Sequence, residues 1–439
     1  MRRFWIALMA ITLTVGVASA AERAEMSARR QRAARLYSDG VLLLHSRGIV
    51  SFDANGYHED PGFYYLTGIE DARPSILAID GKSGESWLFV GEPVTVFAPI
   101  DVGVKPGREA AERLGIEHVE DWNNLERFLE RQAAVGGRIF YEQGPRALPA
   151  NLSATKDAFA PAWIQVIGKK WPSLDLEAVE RARFLGLMAV QSAPEQEMLG
   201  KAAKATVKAL LAGMKAVKAE VSQRRVEAVI EAECWSAGAQ GVAFWPWVMA
   251  GPKSVFPKPL ESLVRYDHLN GQMKAGDLVR LDVGCEWDHY QGDLGRTVPV
   301  SGKYTVEQRE IWTIFVAAYQ AGVKRLAAGV TVDQVFDAWK SELLLHRGTA
   351  RSEAAREAIE LWSEQKNVPY WQIHTMNLDA GFVEGPLRSG MTIAFEPIAA
   401  FGGQGYYLED MFLITEKGAE VLTPGIPYSA SEIEALMAR

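Results

Sequence analysis

Apolar runs that end on, or open with, carboxylates constrain this chain more than any other feature. Met391-Thr392-Ile393-Ala394-Phe395 leads straight into Glu396-Pro397, and Leu408-Glu409-Asp410 opens the run Met411-Phe412-Leu413-Ile414-Thr415. A carboxylate buried in such a setting without a partner is too costly, so the fold has to bring a cation to it. Two more acids stand in similar surroundings. Asp282 closes the strand-like run Leu278-Val279-Arg280-Leu281-Asp282, and Asp293 follows eleven residues later in Gly292-Asp293-Leu294-Gly295-Arg296-Thr297. His374 ends the apolar stretch Tyr370-Trp371-Gln372-Ile373-His374. Four carboxylates and one imidazole are the donor set that two divalent ions sharing bridging oxygens require.

Each of these residues singly has an ordinary explanation. Asp282 and Asp293 read alone are a turn residue and a surface charge, and a lone histidine among apolar neighbours is usually a satisfied core residue. Taken together they point elsewhere. An antiparallel hairpin with a loop of this length brings Asp282 and Asp293 onto one face. Two carboxylates that close repel unless a cation or a proton lies between them.

The chain of 439 residues is 48% hydrophobic and 23% charged, which fits a globular protein with room for two cores. A net charge of -8 gives no basic footprint, so nucleic acid and anionic membrane surfaces are not expected partners. Residues 1–20 read as a secretory signal. Arg2-Arg3 begin it, Phe4 to Val17 is apolar, and Ala18-Ser19-Ala20 is a small-residue cleavage site, with cleavage after Ala20. The apolar stretch is shorter than the ~20 residues a membrane span needs. Periplasmic or secreted localisation follows, with no membrane anchor in the mature form. Cys234 and Cys285 are the two cysteines, and whether they pair is open from sequence alone.

From about residue 24 the chain alternates helical and strand patterns, the mark of an α/β unit with helices covering a sheet. Glu22 to Leu36, Pro106 to Leu114 and Trp122 to Ala133 have helical period. Residues 40–44, 75–79, 87–90, 138–141 and 163–167 read as strands. A boundary falls near residues 172–192, because Ser192-Ala193-Pro194-Glu195 is a capping box that starts a new helix. Its stripe of Ala203, Val207, Leu210, Met214 and Val217 marks one buried face. A helix over Arg224 to Trp235 follows. Another starts at Thr305 with Gln308 three residues on, burying Ile311, Phe315, Ala318 and Gly322. From residue 390 the pattern is strand-like.

The segments Leu281-Asp282-Val283-Gly284, Gly292 to Gly302, Gly390 to Pro397 and Leu408-Glu409-Asp410 resemble the aminopeptidase P and prolidase family, the pita-bread metallopeptidases. Asp60-Pro61-Gly62-Phe63-Tyr64-Tyr65-Leu66-Thr67-Gly68 is similar to that family's amino-terminal domain. The resemblance implies an aminopeptidase P-like α/β domain with a mixed sheet over residues 24–180 and a pita-bread catalytic domain over 185–439. It implies two divalent ions, Mn²⁺ first with Co²⁺ or Zn²⁺ as alternatives. Asp282 would hold one ion, Asp293 and Glu409 would bridge, and His374 would hold the second with Glu396 beside it. A hydroxide between the ions would attack the bond before proline in a peptide substrate, with Glu396 as proton shuttle. A homodimer or homotetramer is the implied assembly.

The chain departs from the family's pattern at four positions. Histidines are expected seventeen residues before Asp282, four before His374 and seven after it; Arg265, Tyr370 and Gly381 stand there instead. An arginine is expected two residues before Glu409, where Tyr407 stands. Arg265 as a cation and Tyr370 as a hydrogen-bond donor are the candidates for the lost oxyanion role, with Tyr407, His268 and His289 as further substitutes. Loss of one oxyanion donor costs ~10²–10³ in turnover, so a slow or retargeted enzyme is expected. The alternatives are a metal-binding pseudopeptidase and a hydrolase of another amide or ester.

Overall fold

The computed structural model describes residues 20–47, 58–71, 73–92, 103–142, 160–255, 271–368 and 372–438. Residues 1–19 of the expected signal, and Arg265, Tyr266, His268 and Tyr370, lie outside the described residues. The chain divides into two compact units, Met1–Leu187 and Met188–Arg439.

The first unit is a six-stranded mixed sheet. Its strands are β1 (Val41–His45), β2 (Ser75–Asp80), β3 (Ser86–Val90), β4 (His118–Asp121), β5 (Arg138–Tyr141) and β6 (Asp175–Ala178), in the order β4-β3-β2-β1-β5-β6. Val41 to Leu44 are all buried, as expected of a strand covered on both faces. The helices are α1 (Ala20–Leu36), α2 (Pro61–Thr67), α3 (Arg108–Leu114), α4 (Asn124–Ala134), α5 (Ala162–Lys170) and α6 (Arg181–Met188). In α2 the Asp60 side chain accepts the Phe63 N–H at 2.9 Å, and Gly68 ends the helix at φ 64°, a conformation that favours glycine. Residues 163–167, read from sequence as a strand, lie inside α5. Ile164 and Ile167, three apart, are buried while Val166 is 63% exposed, so the helical period wins over a run of large apolar residues.

The second unit begins with α7 (Ala193–Ala216), whose Ser192 and Glu195 form the expected capping box, and α8 (Gln223–Ser236). Its strands are β7 (Gly241–Val242), β8 (Trp247–Ala250), β9 (Leu278–Val283), β10 (Cys285–Trp287), β11 (Tyr290–Gln291), β12 (Leu294–Pro299), β13 (Ile373–Thr375), β14 (Gly381–Phe382), β15 (Thr392–Phe395), β16 (Ile398–Phe401), β17 (Gln404–Thr415) and β18 (Gly418–Val421). The large sheet runs β14-β13-β15-β17-β12-β9-β8, with β16 and β18 also on β17; β11-β10-β7 form a small one. Helices α9 (Val306–Val323), α10 (Val332–His346) and α11 (Glu353–Trp362) lie between β12 and β13 in the chain. Ile311, Phe315, Ala318 and Gly322 of α9 are buried as expected. Phe315 meets Trp339 and Trp362 edge-on at 5.0 and 5.4 Å between ring centroids, which ties the three helices together.

The strand-like reading after residue 390 holds only to β18. A last helix, α12 (Ala430–Met437), follows a capping box of Ser429 and Glu432 whose Ser-x-x-Glu spacing is visible in the sequence. Cys234 of α8 and Cys285 of β10 form a disulfide with Cα atoms 5.5 Å apart, which settles a pairing the sequence leaves open. Closing a loop of 51 residues stabilises the native chain by roughly 4 kcal/mol in the chain-entropy picture. The bond pins the strand that follows Asp282.

Candidate metal centre

Strand β12 lies between β9 and β17, and this neighbourhood builds the site. Gly295 faces Asp282 on one side and Glu409 on the other. Paired positions on neighbouring strands project to the same face, so two acids far apart in sequence flank one glycine. The glycine is required there: a Cβ at position 295 would lie 1.9 Å from the Tyr407 ring. Asp293 stands just before β12, and Glu396 follows the last residue of β15. His374 is the middle residue of β13, paired with Ala394 of β15.

Three carboxylates surround the imidazole. His374 Nε2 lies 3.6 Å from Asp293 Oδ2, 3.6 Å from Glu396 Oε1 and 3.8 Å from Glu409 Oε1. Its Nδ1 lies 3.3 Å from the Thr375 carbonyl oxygen, a group that only accepts, which turns Nε2 toward the acids. Asp282 joins from the other flank, its Oδ2 accepting from Arg280 Nη2 at 2.6 Å. Asp282, Asp293, His374 and Glu396 open on a cavity of about 300 Å³ walled by Phe244, Trp247 and Phe382. Glu409 lies behind them, fully buried.

The electrostatics are those of acids crowded together in a buried site. Burial raises the Asp293 carboxyl well above the carboxylate range, and the charges of Glu409, Asp282 and Glu396 raise it further. Glu396 is raised by burial and then by Glu409, with His374 pulling the other way. Asp282 is pushed up to about 6 by burial, despite the opposing pull of Arg280. Burial disfavours the His374 cation, yet the nearby Glu409 and Glu396 carboxylates outweigh it and raise the ring to about 9. Asp293 Oδ1 and Glu409 Oε1 are buried with no hydrogen-bond partner among the described residues. Bare carboxylate oxygens beside a histidine nitrogen fit a divalent cation by donor type and by charge.

Behind the acids lies a second ion pair. Arg296 Nη2 donates to Asp410 at 3.0 Å, both fully buried, and Arg296 Nη1 donates to the Glu409 carbonyl at 2.6 Å. Asp410 also accepts from Tyr319 at 3.0 Å, Thr423 at 3.0 Å and Tyr428 at 2.8 Å, so its charge is met on every side. The pair fixes the backbone on which Glu409 sits.

All five acid and imidazole candidates from the sequence therefore meet at one place. Gly381 of β14 lines the cavity and offers it no side chain. His289 stands in a turn, with Asp288 and His289 at φ 51° and 66°, its Nδ1 3.7 Å from Glu286, away from the cavity lining. Tyr407 donates through its hydroxyl to Glu409, and to Glu396 Oε2 at 3.4 Å. Sequence reasoning missed Arg280, the Arg296–Asp410 pair and the aromatic wall. Strand alternation was the available signal for Arg280, because a residue two before Asp282 shares its face.

Residues 197–416 match Metallopeptidase family M24. Over 94% of this chain and 82% of the relative, the sequence is 29% identical to the mitochondrial intermediate cleaving peptidase 55 of Arabidopsis thaliana. It is 24% identical to the Xaa-Pro aminopeptidase of Escherichia coli K12, over 94% of this chain and 98% of that one. Among solved structures, proline aminopeptidase P II from Yersinia pestis superposes with a TM-score of 0.72 at 22% identity, covering 95% of this chain and 99% of that one. That likeness carries the fold: an amino-terminal mixed-sheet α/β domain followed by a pita-bread domain.

Proposed function

The chain belongs to metallopeptidase family M24, and from that premise we propose that it is an exported two-metal aminopeptidase that releases an amino-terminal residue from a following proline. One observation supports this above the others. Three carboxylates and a histidine line one cavity with Glu409 buried behind them, and Asp293 Oδ1 and Glu409 Oε1 lack a hydrogen-bond partner among the described residues. In this reading Asp282, Asp293, His374, Glu396 and Glu409 would hold the two ions, with Asp293 and Glu409 shared between them. Mn²⁺ is the proposed metal, with Co²⁺ and Zn²⁺ as alternatives, since oxygen donors outnumber the single nitrogen. When bound, such a pair supplies Lewis acidity at the scissile carbonyl and lowers the pKa of a water.

The protein's own groups do the rest. Glu396 takes the water's proton on its carboxylate and hands it to the leaving nitrogen, a role suited to a carboxyl that burial has made more basic. Tyr407 keeps that carboxylate oriented through its hydroxyl. Phe244, Trp247 and Phe382 offer an apolar wall to the substrate's side chain and proline ring. The assembly implied by the resemblance, a homodimer or homotetramer, is read by light scattering.

The test is direct. The mature protein loaded with Mn²⁺ and given a peptide with proline second is expected to release the first residue. One alternative has an observation in its favour: Gly381 brings no side chain to the cavity, which suits a metal-binding protein without turnover. Two bound metals with no release at high enzyme concentration would select it.

The export reading rests on residues 1–20 and gains support from the Cys234–Cys285 disulfide, because such bonds persist in oxidising compartments. Protein recovered from the exporting cell is expected to begin at Ala21. A chain that keeps Met1 and stays in the cytoplasm would contradict it.

A further inference from the structure

The two strands that flank β12 carry a second matched row beside the acids. Asp282 and Glu409 face each other across Gly295. Two residues along, Arg280 of β9 pairs with Thr297 of β12. From the opposite side the Tyr407 N–H donates to Thr297 Oγ1 at 2.9 Å. Arg280 and Tyr407 thus stand two residues before their respective acids, on the same face as them.

Both side chains are buried, Arg280 at 2% exposure and Tyr407 at 0%. The Arg280 guanidinium lies 4.1 Å from the centre of the Tyr407 ring and 5.8 Å from that of Trp247. Its Nη2 holds Asp282 at 2.6 Å, while the Tyr407 hydroxyl reaches Glu409 and Glu396. A planar cation stacked on an aromatic face is held in orientation as well as in place. It also offsets one negative charge in a cluster of four before any metal arrives.

We propose that Arg280 and Tyr407 form a single positioning pair, which fixes Asp282 from one side and Glu396 and Glu409 from the other, and on which loading of both ions depends. The inference rests on the metal-centre reading above and goes beyond it. It assigns the geometry of three of the five acid and imidazole candidates to one cation–ring contact. Because the two positions mirror each other across Thr297, exchanging the side chains keeps the contact and exchanges which acid each one serves.

Metal content and calorimetric affinity for Mn²⁺ test this, with melting of the metal-free protein to verify folding. Arg280→Met is expected to weaken binding of at least one ion by roughly 10–100-fold, the range seen when a supporting partner of a metal ligand is lost. The exchange variant, Arg280→Tyr with Tyr407→Arg, is expected to bind at least about tenfold more tightly than Arg280→Met. Unchanged affinity in Arg280→Met, or an exchange variant no better than it, overturns the pair. Should Arg280→Met not fold, Arg280→Lys keeps the charge without the planar stack; weaker binding is expected, and unchanged binding overturns the proposal. An unmodified chain that binds no divalent ion sinks the metal-centre reading and this one together. Unmodified binding matched by Arg280→Met overturns this one alone.

Discussion

Asp293→Ala is expected to empty the metal centre while leaving the metal-free protein folded. Asp293 is the acid most crowded by its own kind, with Glu409, Asp282 and Glu396 all raising its carboxyl above the usual range. A bound cation would offset that crowding of like charges. Asp293 Oδ2 faces His374 at 3.6 Å and its Oδ1 has no hydrogen-bond partner among the described residues, so in the proposed reading Asp293 would offer one oxygen to each ion. Alanine would then remove a donor from both at once. It also removes a buried like charge, so the metal-free variant is expected to melt no lower than the unmodified protein. The contrast lies in the response to metal. Mn²⁺ at about a thousand times its dissociation constant stabilises a protein that binds it by ~4 kcal/mol. Nearly all of that stabilisation is expected to vanish in the variant, along with hydrolysis. Two equivalents of tightly held Mn²⁺ in purified Asp293→Ala would remove Asp293 from the centre.

The acid cluster was legible in sequence because burial makes a charge conspicuous. Glu396 and Glu409 adjoin runs that no solvent-exposed strand would carry, and that conflict needs no register to be seen. Capping boxes at Ser192 and Thr305 were legible for a similar reason, since each joins a local hydrogen-bond pattern to an apolar stripe. What stayed hidden depends on register between distant segments. Alternation puts Arg280 on the face of Asp282, but its contact with Tyr407 is hidden until β17 is laid beside β12, 110 residues further on by the Tyr407–Thr297 bond. The Cys234–Cys285 pairing is hidden likewise, because sequence gives no distance between α8 and β10. Residues 163–167 failed for another reason. Five large side chains in a row satisfy strand propensity, and only packing reveals that every third one is buried.

Glu396→Gln separates holding metal from moving protons. Glutamine keeps an oxygen where Glu396 Oε1 lies and presents its amide nitrogen, a donor, to the Tyr407 hydroxyl oxygen, so metal content is expected to stay near that of the unmodified protein. The amide cannot take a proton at neutral pH, however, and general acid–base transfer contributes about 10²–10⁴ in rate. A fall of that size in kcat is expected, with KM little changed, because the lost interaction is made only as the proton moves. The raised Glu396 carboxyl explains why the step would fall to this group. Burial and the Glu409 charge make it the stronger base, while His374 moderates the shift and keeps the group able to release the proton again. Asp293→Ala therefore loses metal and turnover together, whereas Glu396→Gln loses turnover alone. A Glu396→Gln protein that turns over within a few-fold of the unmodified one would place the proton relay on another group. If instead metal and activity fell in parallel, Glu396 would be a ligand first and its proton role would lose its support.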